Sequence, residues 1–97
     1  MGRGRLSKPK RLAEKLLLLR RTLGLSQSEL IRQMRLTDEL LREEVSDFER
    51  GKRVPPLNVL LAYAQAANLY VDTLIDDRLD LPTKLPAPKK TAGTKVR

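Results

Sequence analysis

Leu12, Leu16, Leu19 and Leu23 recur at spacings of four, three and four, which places them on one stripe of a helix that needs a core to face. Gly24 stops that helix, expected over Lys10 to Thr22, before it can run on. Two residues later Ser26, with Glu29 three positions beyond it, has the capping-box pattern of a second helix. Leu30 and Met34 turn inward on that helix, and it is expected to end near Arg35. The chain has 97 residues, 40% of them hydrophobic and only 3% aromatic, so these stripes meet in one small, lean, aliphatic core.

Two helix starts compete between Thr37 and Arg50. With Thr37 as N-cap, Leu41, Val45 and Phe48 fall on one face and Asp38 and Glu39 sit in the favourable first turn. With residues 37 to 40 as an enlarged turn, a shorter helix begins near Leu41, and because leucine cannot cap, local chemistry favours the longer version. Gly51 ends either one. Pro55 and Pro56 then restart the chain, and Leu57, Leu60, Leu61 and Ala64 outline a fourth amphipathic helix. Asn68 suits a left-handed terminating position, and Val71, Leu74 and Ile75 outline a last short helix. Five helices and no strand are expected.

Net charge is +8, and it is unevenly placed. Arg3, Arg5, Lys8, Lys10 and Arg11 at one end and Lys84, Lys89, Lys90, Lys95 and Arg97 at the other have no acid among them, whereas residues 12 to 81 carry ten basic against twelve acidic groups. The ends, rich in Gly, Pro, Lys and Ala, read as disordered cationic arms over 1–9 and 80–97 around a helical domain at 10–79. Solubilising tails are the plainer reading; contact with nucleic-acid phosphate is the functional one. The start lacks the pattern of a targeting or myristoylation signal. The apolar run Leu16 to Leu19 is far too short to span a bilayer, so no membrane partner is expected.

Without cysteine or histidine the chain lacks a thiolate, a disulfide and the usual proton shuttle, so no enzyme, cofactor or metal is expected, and the absence of cysteine fits the cytoplasm. Asp76, Asp77 and Asp80 have the oxygen ligands of a magnesium site but no partner motif, and they read as a solvated helix exit.

Gly24, Leu25, Ser26, Gln27, Glu29 and Leu30, then Phe48, Glu49, Arg50, Gly51, Lys52 and Arg53, with Pro55 and Leu57 after them, resemble the phage-repressor and Cro type of helix-turn-helix domain, the lambda-repressor-like or XRE-like family. The likeness covers about residues 10 to 76. It implies an all-α, five-helix fold whose second and third helices form the helix-turn-helix, the third lying in the major groove of double-stranded DNA. By position, Gln27 would contact phosphate and brace the third helix, with Ser28 beside it. Arg50, Lys52 and Arg53 would reach the backbone, Ser46 and Asp47 would face bases, and Glu49 would bond within the fold. The chain departs from the family in having about four more residues between Gln27 and Glu49, and Arg35 where glycine is usual.

Positions 38 to 49 hold six acids, Asp38, Glu39, Glu43, Glu44, Asp47 and Glu49, against the single base Arg42. Several must point away from a duplex, and five arm cations on five phosphates would give a salt slope of about −4.5, offsetting the rest. Arg42 is the base contact expected, bidentate to guanine; a surface pair with Asp38 is its alternative. The leading expectation is a sequence-specific transcriptional regulator of the cytoplasm, associated with the nucleoid, whose arms Arg3, Arg5, Lys8 and Lys10 hold phosphate or the minor groove. The rivals are a protein-interaction module docking a basic partner at residues 38 to 49, antitoxin-like or polymerase-associated, and sequence-independent nucleoid binding through the tails. A homodimer through Leu69, Tyr70, Val71, Leu74 and Ile75 is a further expectation, burial of those residues against the first helix being its alternative.

Overall fold

A computed structural model describes residues 9–82. They form five helices, α1 (Leu12–Leu23), α2 (Gln27–Gln33), α3 (Arg42–Glu49), α4 (Leu57–Ala66) and α5 (Val71–Ile75), and no strand among the described residues. Arg3, Arg5 and Lys8, and the expected arms apart from residues 9 and 80–82, lie outside the described residues. No helix among them is long and apolar enough to cross a membrane.

The first two helices form as their sequence dictates. Leu12, Leu16 and Leu19 are buried along α1, and Gly24 ends it in the left-handed region at φ 73°. The Ser26 hydroxyl accepts the Glu29 N–H at 3.1 Å while the Glu29 carboxylate accepts the Ser26 N–H at 2.7 Å. These bonds hold the Glu29 pKa below its ordinary value. Leu30 and Met34 are buried as expected, and Arg35 stops the chain at φ 60°.

The longer third helix starting at Thr37 does not form. Residues 37–39 make a turn in which the Glu39 and Leu40 N–H groups both donate to the Leu36 carbonyl, at 3.0 and 2.9 Å, and α3 begins only at Arg42. Two physical reasons favour this arrangement. The turn lets Leu40 enter the core with Leu36 packed against it. The Glu44 carboxylate also reaches back to the Leu41 N–H at 2.9 Å, satisfying an orphan donor that leucine's own side chain cannot serve. Leu41 therefore stands 64% exposed rather than facing inward with Val45 and Phe48.

The inward face of α4 is also rotated from expectation. Val59, Leu60, Tyr63 and Ala64 are buried, whereas Leu57 and Leu61 face out. The helix turns so that Tyr63, the largest fully buried side chain, fills the centre. Asn68 adopts φ 59° after α4, and α5 then packs on α1 and α4. This removes most of the expected dimer surface: Leu74 is fully buried, Leu69 and Val71 pack against the core, and only Tyr70 and Ile75 remain exposed.

α1 and α5 cap each other. The Asp77 carboxylate accepts the backbone N–H groups of Lys10 and Arg11 at 2.9 and 3.0 Å, at the start of α1. The buried Lys15 ammonium donates to the Thr73 and Asp76 carbonyls, at 2.8 and 2.9 Å, at the end of α5. Each charge thus meets the helix end whose dipole favours it. Burial lowers the Lys15 pKa, while the two N–H donors lower that of Asp77. Arg11 bonds Asp80 at 2.6 Å, and Arg78 holds Asp76 down to a pKa of about 2. The three aspartates are therefore engaged although Asp80 is exposed: Asp77 and Asp80 find partners at the start of α1, and Asp76 pairs with Arg78 beside it.

Two outcomes follow from these helix ends. Arg35→Gly should stabilise the fold by about 0.5 kcal/mol in denaturant titration, relief of left-handed strain outweighing the entropy of a freer unfolded chain; Gly24→Ala, with open space around its Cβ, should cost about 1 kcal/mol through strain alone. The stabilisation from Asp77 is fully present above the ordinary carboxylate pKa of about 3.9 and is lost as pH falls through its lowered value. Asp77→Ala should therefore lower the thermal midpoint at pH 7, and the gap to the parent should close in melts at acid pH.

Candidate functional site

α3 is held to two helices by one buried carboxylate. Glu49, at its last turn, accepts from Arg20 of α1 at 2.6 and 3.0 Å and from the Gln27 side-chain amide of α2 at 3.1 Å. Arg20 also donates to the Leu25 carbonyl at 2.9 Å, between α1 and α2. The carboxylate raises the Arg20 pKa, so the guanidinium stays charged. The Glu49 side chain is only 4% exposed, so the fold uses it. Gln27, expected to brace the third helix, makes that contact through Glu49.

The Tyr63 hydroxyl has no hydrogen-bond partner among the described residues although it is buried. Burial first, and the nearby Glu49 charge second, push its pKa well up. It remains neutral.

On the outer surface, Arg42 is the first residue of α3 and is exposed. No carboxylate among the described residues lies within ion-pairing distance of it, so the pair with Asp38 does not form. A cation there also works against the helix dipole. Ser28 is exposed in the first turn of α2, and Ser46 and Asp47 are half-buried on α3.

The arginines after α3 are not free. Asp47 lies 3.1 Å from Arg50 and 3.7 Å from Arg53, and Glu44 lies 3.5 Å from Arg53. Lys52 is exposed and anchored by its backbone N–H on the Asp47 carbonyl at 2.9 Å. Lys10 is brought to this side: with Pro9, Gly51 and Arg53 it lines an open cleft of about 120 Å³. Lys10, Asp47, Arg50 and Arg53 thus share one end of the body, whereas Gln27 belongs to the buried cluster.

Sequence reasoning missed Arg20 and Glu44. Arg20 is 29 residues from its partner and nothing local marks it. Glu44 had a signal, standing three residues after Leu41, which becomes legible only once the helix is begun there. Among the described residues no group of acids is placed to hold a metal ion. No protein-family model, curated protein or solved structure matches this chain.

Glu49→Ala strands the Arg20 charge and should cost about 3 kcal/mol, a large part of a total on the order of 5 kcal/mol for a body this small. Tyr63→Phe, which removes the unpartnered hydroxyl, should by contrast gain about 1 kcal/mol. Paired denaturation curves measure both.

Proposed function

We propose that this chain is a sequence-specific, double-stranded-DNA-binding transcriptional regulator of the lambda-repressor-like helix-turn-helix type, acting in the cytoplasm at the nucleoid. On this reading α2 and α3 form the helix-turn-helix and α3 enters the major groove. Arg42 carries the proposal: it is an exposed arginine at the first position of α3 with no ion-pair partner among the described residues, while the arginines after that helix are tied to carboxylates. A guanidinium held this way suits bidentate bonding to guanine O6 and N7. Ser28, Ser46 and Asp47 flank that contact, and Arg50, Lys52 and Arg53 serve the phosphates. Arg3, Arg5 and Lys8 precede Pro9, which lines the cleft beside Arg53, and on this reading they add their charges to the hold on phosphate. Pairing into a homodimer, to read two half-sites, would rest on Tyr70 and Ile75, the exposed members of the apolar set around α5.

A protein-interaction module is the second reading. Its support is exposed Leu41 standing among exposed Asp38, Glu39 and Glu43, none of which has a cation within ion-pairing distance among the described residues.

Enrichment of a random duplex pool at about 150 mM salt separates the two. The full chain should yield a shared motif containing guanine. Arg42→Ala should lose preference at that position, a discrimination of about 1 to 3 kcal/mol, whereas Arg3→Ala/Arg5→Ala/Lys8→Ala should weaken every sequence alike. A motif unchanged by Arg42→Ala removes the assigned role. No motif at all, with retention only at low salt, leaves phosphate attraction alone and turns attention to a basic protein partner for residues 38 to 43.

A further inference from the structure

The arginines expected on phosphate already have anionic oxygens beside them. Asp47 presents one carboxylate oxygen to Arg50 at 3.1 Å and the other to Arg53 at 3.7 Å, and Glu44 faces Arg53 at 3.5 Å. Both carboxylates are more enclosed than the arginines they hold: side-chain exposure is 27% for Asp47 and 31% for Glu44, against 56% for Arg50 and 54% for Arg53. Their backbones are also fixed. Asp47 accepts the Lys52 N–H through its carbonyl and the Glu44 N–H donates to the Leu41 carbonyl, while the Glu44 carboxylate itself accepts the Leu41 N–H. The acids are thus set in the helix, while the cations are long, outward and able to turn away.

We infer that Asp47 and Glu44 are positioning residues that occupy Arg50 and Arg53 as an internal substitute for duplex phosphate, so that binding proceeds by exchange of carboxylate for phosphate. The inference rests on the DNA-binding reading above. It gives the acidic third helix a role that neither base contact nor simple repulsion supplies. A half-exposed ion pair is weak enough to be displaced, yet it removes cations from the sequence-blind attraction that any duplex exerts. The body then relies less on phosphate and more on Arg42, and the net cationic valence it brings to DNA is smaller than its arginines suggest.

The test uses the full chain on a fluorescent random-sequence duplex titrated over a range of salt. Asp47→Asn and Glu44→Gln/Asp47→Asn should each bind more tightly, the single substitution by up to about five-fold. Because the exchange in the parent is partial, the slope of log affinity against log salt should steepen by up to about 0.9 for each arginine that the parent leaves on its carboxylate. Asp72→Asn, the same charge change on exposed α5, should leave the slope unmoved. Adding Arg50→Gln and Arg53→Gln to Asp47→Asn should abolish the gain. Equal slopes for Asp47→Asn and the parent, or an equal steepening in Asp72→Asn, would overturn the inference, as would failure of parent and variants to bind this duplex at low salt. Pool enrichment separately decides the regulator reading: no motif with steepened slopes sinks sequence selection but keeps the exchange, and a motif with unmoved slopes does the reverse.

Discussion

The orientation of α3 depends on the buried charge cluster of Arg20, Gln27 and Glu49. Two helices and the connection between them converge on it, because Arg20 bonds both Glu49 and the Leu25 carbonyl while Gln27 bonds the same carboxylate. An apolar contact at that point would be indifferent to small rotations of α3. A bidentate guanidinium is not, since its fork fixes direction as well as distance. What α3 shows to the outside is therefore set from the inside.

That outside is far less acidic than its composition suggests. Of the six carboxylates between positions 38 and 49, Glu49 is buried on Arg20, and Glu44 and Asp47 are matched to Arg50 and Arg53. The remaining three, Asp38, Glu39 and Glu43, lie on the turn and at the start of α3. Arg42 stands among them, and Glu43 and Glu44 offset the unfavourable dipole that it meets. The charge of this helix is a matter of pairing, which a count of residues does not reveal.

Most of the fold was legible because its signals are local. Leucine spacing, Gly24, the Ser26–Glu29 box and Asn68 each act within one helical turn, and each is found where its chemistry points. The failures share a cause. The start of α3 was misplaced because Thr37 is the better cap in isolation, whereas burial of Leu40 decides the matter. The face of α4 differs from the leucine pattern because Val59 and Tyr63 take inward positions in place of Leu57 and Leu61, the ring's volume outweighing its one polar atom. Lys15, Asp77 and Asp80 find their partners 58 to 69 residues away, beyond any pattern read along the chain. In the candidate site, the place of Arg42 at the first position of α3 and the pairing of Asp47 with two arginines both depend on where α3 begins, and neither could be read before that was known.

The mutual capping of α1 and α5 also has a geometric consequence for what lies outside the helices. Lys10 and Arg11 are bonded to Asp77 and Asp80, so the points at which the flanking sequences join the body are neighbours in space. The described part of the chain therefore begins and ends at one pole, where Arg11, Asp80 and Leu81 line a single groove.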